Sequence, residues 1–496
     1  MDLNEIKELA EDGVTMIPVS KCLSADLLTP VAAFLRLRRQ GEPCFLLESA
    51  DGGEAVGRYS FLGRKPFATL VSKEGVLTYR EKGKEVVERP KNLMKRIGEY
   101  LSAHKSAALS SKLPFQGGAI GYVAYDAAAF LEDISLKEAV KVGKETSLMF
   151  FENIIAFDRL KHQMYLISHI RPQVESLKKG LARAKNDIAK MEESLFSFSG
   201  KLAACELDND AKPVKVKGSL GKESFLSAVK KIKEHIRAGD IFQCVLSEKF
   251  RLNLDDKDPF EIYRVLRTIN PSPYLFFVDF GKEILLGSSP EMLVRVTGRL
   301  VETCPIAGTR PRGANEKEDK KHEKELLSSV KERAEHLMLV DLSRNDISRV
   351  AVSGSVAVKD FMHIGRFSHV MHIISLVTGK LKPSLSAWDA FCACFPAGTL
   401  SGAPKIKAMQ IISSLEKERR GTYGGAVVAH DFLGNMNSCI TIRSLWAKDG
   451  EGVIQAGAGV VADSHPAKEY EEVLNKAKAI RKAVALTKKA VRGSIS

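Results

Sequence analysis

The clearest periodic signal follows residue 221, where Phe225, Val229, Ile232 and Ile236 recur every third or fourth position until Gly239. That spacing lays the apolar side chains along one stripe of an α-helix, and the glycine supplies a stop. The same period predicts helices near 319–340, 404–415 and 466–488, and a charged amphipathic helix over Arg171–Met191. Short apolar or alternating runs predict strands at Cys44–Glu48, Ala68–Thr78 and Leu148–Phe157. Later runs do the same at Ile284–Leu286, Leu293–Thr297, Val350–Val358, Gly425–His430, Ser438–Leu445 and Val453–Val461. Hairpin-length gaps separate some of these strands and helices separate others. The pattern predicts α+β layers in place of a doubly wound parallel sheet. Residues 196–221 are polar, rich in small side chains and without period. They divide the chain into a first part, 1–200, a linker, 201–220, and a second part, 221–496.

Composition mainly excludes. A chain of 496 residues has length for two cores, and 44% hydrophobic with 27% charged residues is ordinary for a globular protein. The first residues, MDLNEIKELAEDG, lack the apolar stretch of a signal peptide. No apolar run approaches the ~20 residues of a membrane span. Eight scattered cysteines, with Cys392 and Cys394 the only close pair, predict reduced thiols in a cytoplasmic protein. The net charge of +14 is spread along helices such as Arg171–Met191 and Ala477–Lys489. Without a basic run interleaved with aromatics it reads as a solvated surface, ahead of nucleic-acid binding.

Three features in the second part carry chemistry. Glu332 with Glu335, and Glu469 with Glu472, are each three apart on a predicted helix, so each pair shares a face. Such carboxylates suit a hard divalent ion, but the spacing is equally that of a solvated helix. QAGAG, Gln455–Gly459, offers close backbone approach to an anion or a plain strand irregularity. GTLSGAPK, Gly398–Lys405, opens a helix with Pro404 where a first-turn proline is tolerated. It is an anion site or a simple cap, and not a P-loop. These features alone point to an enzyme acting on an anionic substrate, with Mg²⁺ as a candidate cofactor.

Nine segments occur together and in order: PSPYLFFVDF (271–280), GSSPEML (287–293), PIAGTRPRG (305–313), ERAEHLMLVDLSRND (332–346), HIISLVTG (372–379), GTLSGAPK (398–405), TYGGAVV (422–428), CITIRS (439–444) and QAGAGVVADS (455–464). With them the chain resembles the chorismate-utilising enzymes, most of all their anthranilate synthase component I group. The likeness spans nearly all of 222–485 and continues through LLES (46–49), RYSFLG (58–63) and GGAIGYVAYD (117–126). It implies the family's sandwich of antiparallel sheets and flanking helices. Water-adding relatives place a lysine base in the segment matching GDIFQCVLS, where this chain has Gln243. Aminodeoxychorismate synthase, the alternative within the family, typically reads PIKGT where this chain has Ala307. Both positions imply direct addition of ammonia at C2 of chorismate.

The resemblance also implies roles. Mg²⁺ would sit on Glu332, Glu335, Glu469 and Glu472. Ala458 and Gly459, through their backbone, and Thr399 would hold the ring carboxylate, with Gly308 and Thr309 beside the substrate. Tyr423 and Arg443 would grip the enolpyruvyl carboxylate. Glu291 would protonate the departing C4 hydroxyl, provided burial raises its pKa. His372 would handle a proton or stabilise charge during pyruvate elimination, and Gln243 would accommodate ammonia as nucleophile. Glu48, Ser49, Asn270, Pro271, Tyr274, Leu275 and Phe276 match a tryptophan-binding inhibitor pocket, with Leu275 where some relatives have Met. The chain has no segment resembling a glutamine amidotransferase, so ammonia is expected from a separate glutaminase subunit, and no nucleic-acid or membrane partner is expected.

Overall fold

Alternation along single strands decides which face each side chain takes. In the strand Gly118–Val123, Ile120 and Tyr122 point to one side and Ala119 and Val123 to the other, and all are buried. A strand buried on both faces must have a layer above and below. The computed structural model, which describes residues 3–49, 57–132, 134, 143–198, 200, 202–208, 210–367 and 370–488, has that arrangement. Lys489, at the end of one expected helix, and Lys201 and Asn209 in the expected linker lie outside the described residues.

Among the described residues two twelve-stranded sheets with antiparallel pairing form the centre. One runs from Ile17–Ser24 at its edge to Lys217–Gly218; the other runs from Ile306–Pro311 to Lys84–Glu88. Phe45 and Val278 of the first sheet meet Ile120 and Met149 of the second, and Phe276 meets Tyr122 and Val427. The first sheet buries its other face under the helices Lys222–Arg237, Pro259–Ile269 and Pro466–Leu486. The second does so under Leu93–Ser102, Val330–Ser348 and Ala387–Cys394. The expected antiparallel α+β sandwich is therefore the observed fold.

Strands from either side of the 201–220 stretch share both sheets. Cys44–Glu48 pairs with Tyr274–Asp279, and Gly118–Val123 pairs with Ala426–Asp431. The hydrophobic pattern reports that a strand is buried, not which strand lies beside it.

Several expected elements resolve more finely. Leu148–Phe157 is two strands, Thr146–Phe151 in the second sheet and Ile154–Asp158 in the first. Ser438–Leu445 divides likewise between Met436–Ile440 and Ser444–Lys448. Ala68–Thr78 is a hairpin turning at Glu74 and Gly75, both at positive φ. The expected helix near 319–340 is two, Glu316–Ser328 and Val330–Ser348, with the Ser329 hydroxyl accepting from the Glu332 N–H at 3.3 Å. The strand expected at Val350–Val358 is corrected: it starts only at Ala357 and runs to Arg366, after a turn through Gly354. Val350 and Ala351 fill the helix-side core, and Val356 and Val358 pack against it partly buried, so the run is apolar from before the strand begins.

Candidate active site

Two chain crossings between the sheets build the centre of the site. Glu291 lies where Ile284–Ser289 of the first sheet passes to Met292–Thr297 of the second. Arg443 lies where Met436–Ile440 passes back to Ser444–Lys448, with φ +48° at the bend. Each crossing frees a side chain from the regular in–out alternation. Both residues line one cleft of about 900 Å³, with Gln243, Gly308, Thr309, His372, Thr399, Tyr423 and Gly459. All four expected metal-binding carboxylates line it too.

Glu291 is strongly altered by its surroundings. Burial raises its carboxyl from the usual range to about 7, against the opposing pull of the Thr399 hydroxyl, Lys476 and Arg443. Thr399 Oγ1 donates to Glu291 Oε1 at 2.8 Å. A carboxylic acid of this kind keeps a large protonated fraction near neutral pH and can deliver its proton within the cleft.

His372 sits on the strand Val370–Lys380, beside a register shift between Ala307 and Arg310 of the neighbouring strand. Gly308 takes φ +63° there, and its carbonyl lies 2.7 Å from His372 Nδ1, with Thr309 Oγ1 at 3.2 Å. A carbonyl only accepts, so Nδ1 carries the proton and Nε2 keeps its lone pair. Burial lowers the pKa of His372, which favours this neutral form.

The glycines of Gln455–Gly459 belong to the strand Glu451–Val460, not to a turn. A Cβ on Gly457 would stand 2.8 Å from Tyr423 Oη, and one on Gly459 would stand 2.6 Å from Gln243 Nε2. The missing side chains leave room for these two groups at the cleft floor. Ala458, between them, is fully buried on the helix side and does not itself line the cleft. Gln243 is buried, with Oε1 lacking a hydrogen-bond partner among the described residues. Arg443 is half-buried, and its pKa is lowered mainly by desolvation, with Glu291 opposing.

The carboxylates face one another across the cleft from the helices Val330–Ser348 and Pro466–Leu486. Burial, then the charge of Glu332, raises Glu335, with Glu472 adding to it; burial raises Glu469, again with Glu472 adding. Glu332 meets Arg310 at 3.4 Å, and Glu472 meets Lys476 at 2.7 Å. Among the described residues no three acidic, histidine or cysteine groups are close enough to enclose a metal ion. As a donor set, hard oxygens carrying mutual repulsion still match Mg²⁺, because a divalent cation relieves that repulsion.

The residues matched to an inhibitor pocket divide between two faces. Glu48 accepts from Tyr263 Oη at 2.8 Å and from Arg267 at 3.2 Å, and stands opposite Leu275 in the sheet. Ser49 is buried with its hydroxyl unpartnered among the described residues, while its carbonyl accepts from Arg159. Leu275 faces the helices, but Tyr274 and Phe276 face the space between the sheets. Asn270 and Pro271 line the large cleft, where Asn270 Nδ2 donates to Ser288 Oγ at 2.9 Å.

Lys331, Lys468 and Lys476 also line the cleft and were not singled out from sequence. Lys476 had a signal: it lies four residues after Glu472, one helical turn along the same face.

Among the described residues no helix is long and apolar enough to cross a membrane. The model of the chorismate binding enzyme family matches residues 42–482. Anthranilate synthase component 1 of Acetivibrio thermocellus is 43% identical, covering 97% of this chain and 98% of that protein. That of Aquifex aeolicus is also 43% identical, covering 98% and 97%. The crystal structure of anthranilate synthase component I from Streptococcus pneumoniae superposes with a TM-score of 0.76 at 36% identity, covering 92% of this chain and 99% of that one. The menaquinone-specific isochorismate synthase of Escherichia coli shares the fold, with a TM-score of 0.69 at 18% identity. Through these likenesses, over almost its whole length, the chain belongs to the chorismate-binding enzyme family, in its anthranilate synthase component I group.

Proposed function

We propose that this enzyme converts chorismate and ammonia to anthranilate and pyruvate, the first committed chemistry of tryptophan synthesis, in the cytoplasm. The observation that carries the reading is a half-buried carboxyl with a raised pKa, Glu291, in one cleft with Arg443, Tyr423, His372 and Gln243. Arg443 has the forked donors for the enolpyruvyl carboxylate, and Tyr423 adds its hydroxyl. Gly459, Thr399 and the backbone at Ala458 suit the ring carboxylate, with Gly308 and Thr309 shaping the wall beside it. Mg²⁺ bound by Glu332, Glu335, Glu469 and Glu472 would supply Lewis acidity and orientation at that carboxylate.

Glu291 donates its proton to the C4 hydroxyl, which leaves as water while the ammonia nitrogen bonds to C2. Gln243 can hydrogen-bond ammonia but cannot deprotonate water, which disfavours the hydroxylating reaction. Removal of the C2 proton and loss of pyruvate then leave an aromatic ring. His372, neutral with Nε2 free to accept, is suited to proton handling there. Ammonia comes from a separate glutaminase subunit, and alone the chain uses free ammonium. Residues 1–200 act as a regulatory part, and tryptophan inhibits through Glu48, Ser49, Leu275 and their neighbours.

Glu291→Gln tests the assignment. It keeps the shape and removes the acid, so kcat should fall by about 10²–10⁴ with chorismate still bound. An undiminished kcat would remove Glu291 from the mechanism.

A further inference from the structure

Beneath the cleft floor lies an ion pair, Arg420 with Glu416, both almost wholly buried. The guanidinium forks onto the carboxylate, Nε to Oε2 at 2.9 Å and Nη2 to Oε1 at 2.7 Å. Nη1 also donates to the Leu400 carbonyl at 2.6 Å, and Nη2 to the Val245 carbonyl at 2.7 Å. Its face covers the ring of Tyr125 at 4.6 Å and that of Tyr423 at 5.7 Å. Glu416 Oε1 accepts in turn from Ser247 N at 2.9 Å and Ser247 Oγ at 2.7 Å, and Gln455 Nε2 donates to that hydroxyl at 2.8 Å.

The partners are the point. Leu400 follows Thr399, the donor to Glu291; Val245 lies two residues along the strand from Gln243; Tyr423 lines the cleft. A buried pair of this kind adds little stability over apolar residues of equal volume, but it fixes direction and distance for every group it touches.

We infer that Arg420, with Glu416 as counter-charge, is a positioning residue for chorismate amination, holding Thr399, Tyr423 and the Gln243–Val245 strand in mutual register. This rests on the proposed roles of Glu291 and Tyr423. Anchoring of the Leu400 carbonyl keeps the short helix Gly398–Ser401 where Thr399 reaches Glu291. Among the described residues the other groups facing Glu291 are Arg443, Lys476 and Cys304, and the bonds given above for Arg420 and Glu416 go to other partners. Loss of the anchor therefore removes the Thr399 hydrogen bond alone. That bond favours the carboxylate, so its loss raises the pKa of Glu291 and moves the limb where activity falls with rising pH upward.

The test is the Arg420→Met/Glu416→Leu double variant, which leaves no lone buried charge, measured with ammonium beside Thr399→Val. A melting temperature near that of the parent is expected. KM for chorismate should rise at least about tenfold, and the alkaline limb of kcat should move up by about half to one pH unit. Thr399→Val should move that limb similarly without disturbing Tyr423. A folded double variant with parental KM and limb would overturn the inference. An unmoved limb in Thr399→Val would instead sink the Glu291 reading, leaving KM to judge the positioning role. Arg420→Lys, which keeps charge without the fork, should raise KM less. Failure of both Arg420 variants to fold would make the pair mere scaffold and equally overturn it.

Discussion

Glu248, buried in a central strand, and Glu291, half-buried at a crossing between the sheets, are separated by their donors. Glu248 accepts from the N–H groups of Leu220 and Gly221, each at 2.8 Å, and from the Ser219 hydroxyl at 3.1 Å, so it ties the loop before the helix Lys222–Arg237. Glu291 has one side-chain donor, Thr399, and is left protonated to about pH 7. The active acid form is present below that pH and lost above it. His372 must be neutral, and its lowered pKa puts the opposing limb below the ordinary histidine value. The kcat profile should thus fall as pH rises through about 7, and a pH series on the ammonium-dependent reaction checks it. A rate still climbing well above that pH would contradict the acid role. The carboxylate quartet makes a second claim. Glu335→Gln or Glu472→Gln should remove most turnover without unfolding the chain and weaken Mn²⁺ binding measured by EPR; full activity in EDTA would refute the metal assignment. At this scale the sequence was informative through motifs, because Glu291, Thr399 and Arg443 stand in recognisable strings. Arg420 was silent, since nothing in RRGTYGG says that the second arginine is buried and the first only half-buried.

Among elements, the strand Glu451–Val460 does most to shape the cleft. Its glycines stand where Gln243 Nε2 and Tyr423 Oη come closest. Gly459→Ala would push on the end of a flexible side chain, so the chain should fold with a melting temperature close to that of the parent. Gln243 would be displaced, and kcat/KM should fall at least about tenfold; an unaltered kcat/KM would show that the Gly459–Gln243 approach has no function. The helices were legible because a stripe of apolar residues fixes an amphipathic helix whatever it packs on. Strand boundaries were less so. Leu148–Phe157 and Ser438–Leu445 each read as one apolar run, because the chain stays buried while it crosses from sheet to sheet. Those crossings are long-range features, and one of them carries Arg443.

For the whole molecule, the shared sheets mean that LLES in the first part lies directly beside Tyr274–Asp279 in the second. Asn270 and Pro271, just before that strand, line the cleft. A ligand at Glu48 and Ser49 therefore has a short, packed route to the active site, the physical requirement for coupling. Ser49→Phe should weaken tryptophan inhibition at least about tenfold and leave uninhibited turnover near normal. Unchanged inhibition would exclude Ser49 from the pocket, and lost basal activity would make it structural. Such pairing over some 230 residues of chain could not be read from local pattern, whereas the family motifs spanned it. The central claim is the reaction itself. Chorismate, ammonium and Mg²⁺ incubated with the isolated chain should yield anthranilate and pyruvate in equal amounts, and no isochorismate when ammonium is withheld. Accumulation of isochorismate or aminodeoxychorismate in place of anthranilate would contradict it.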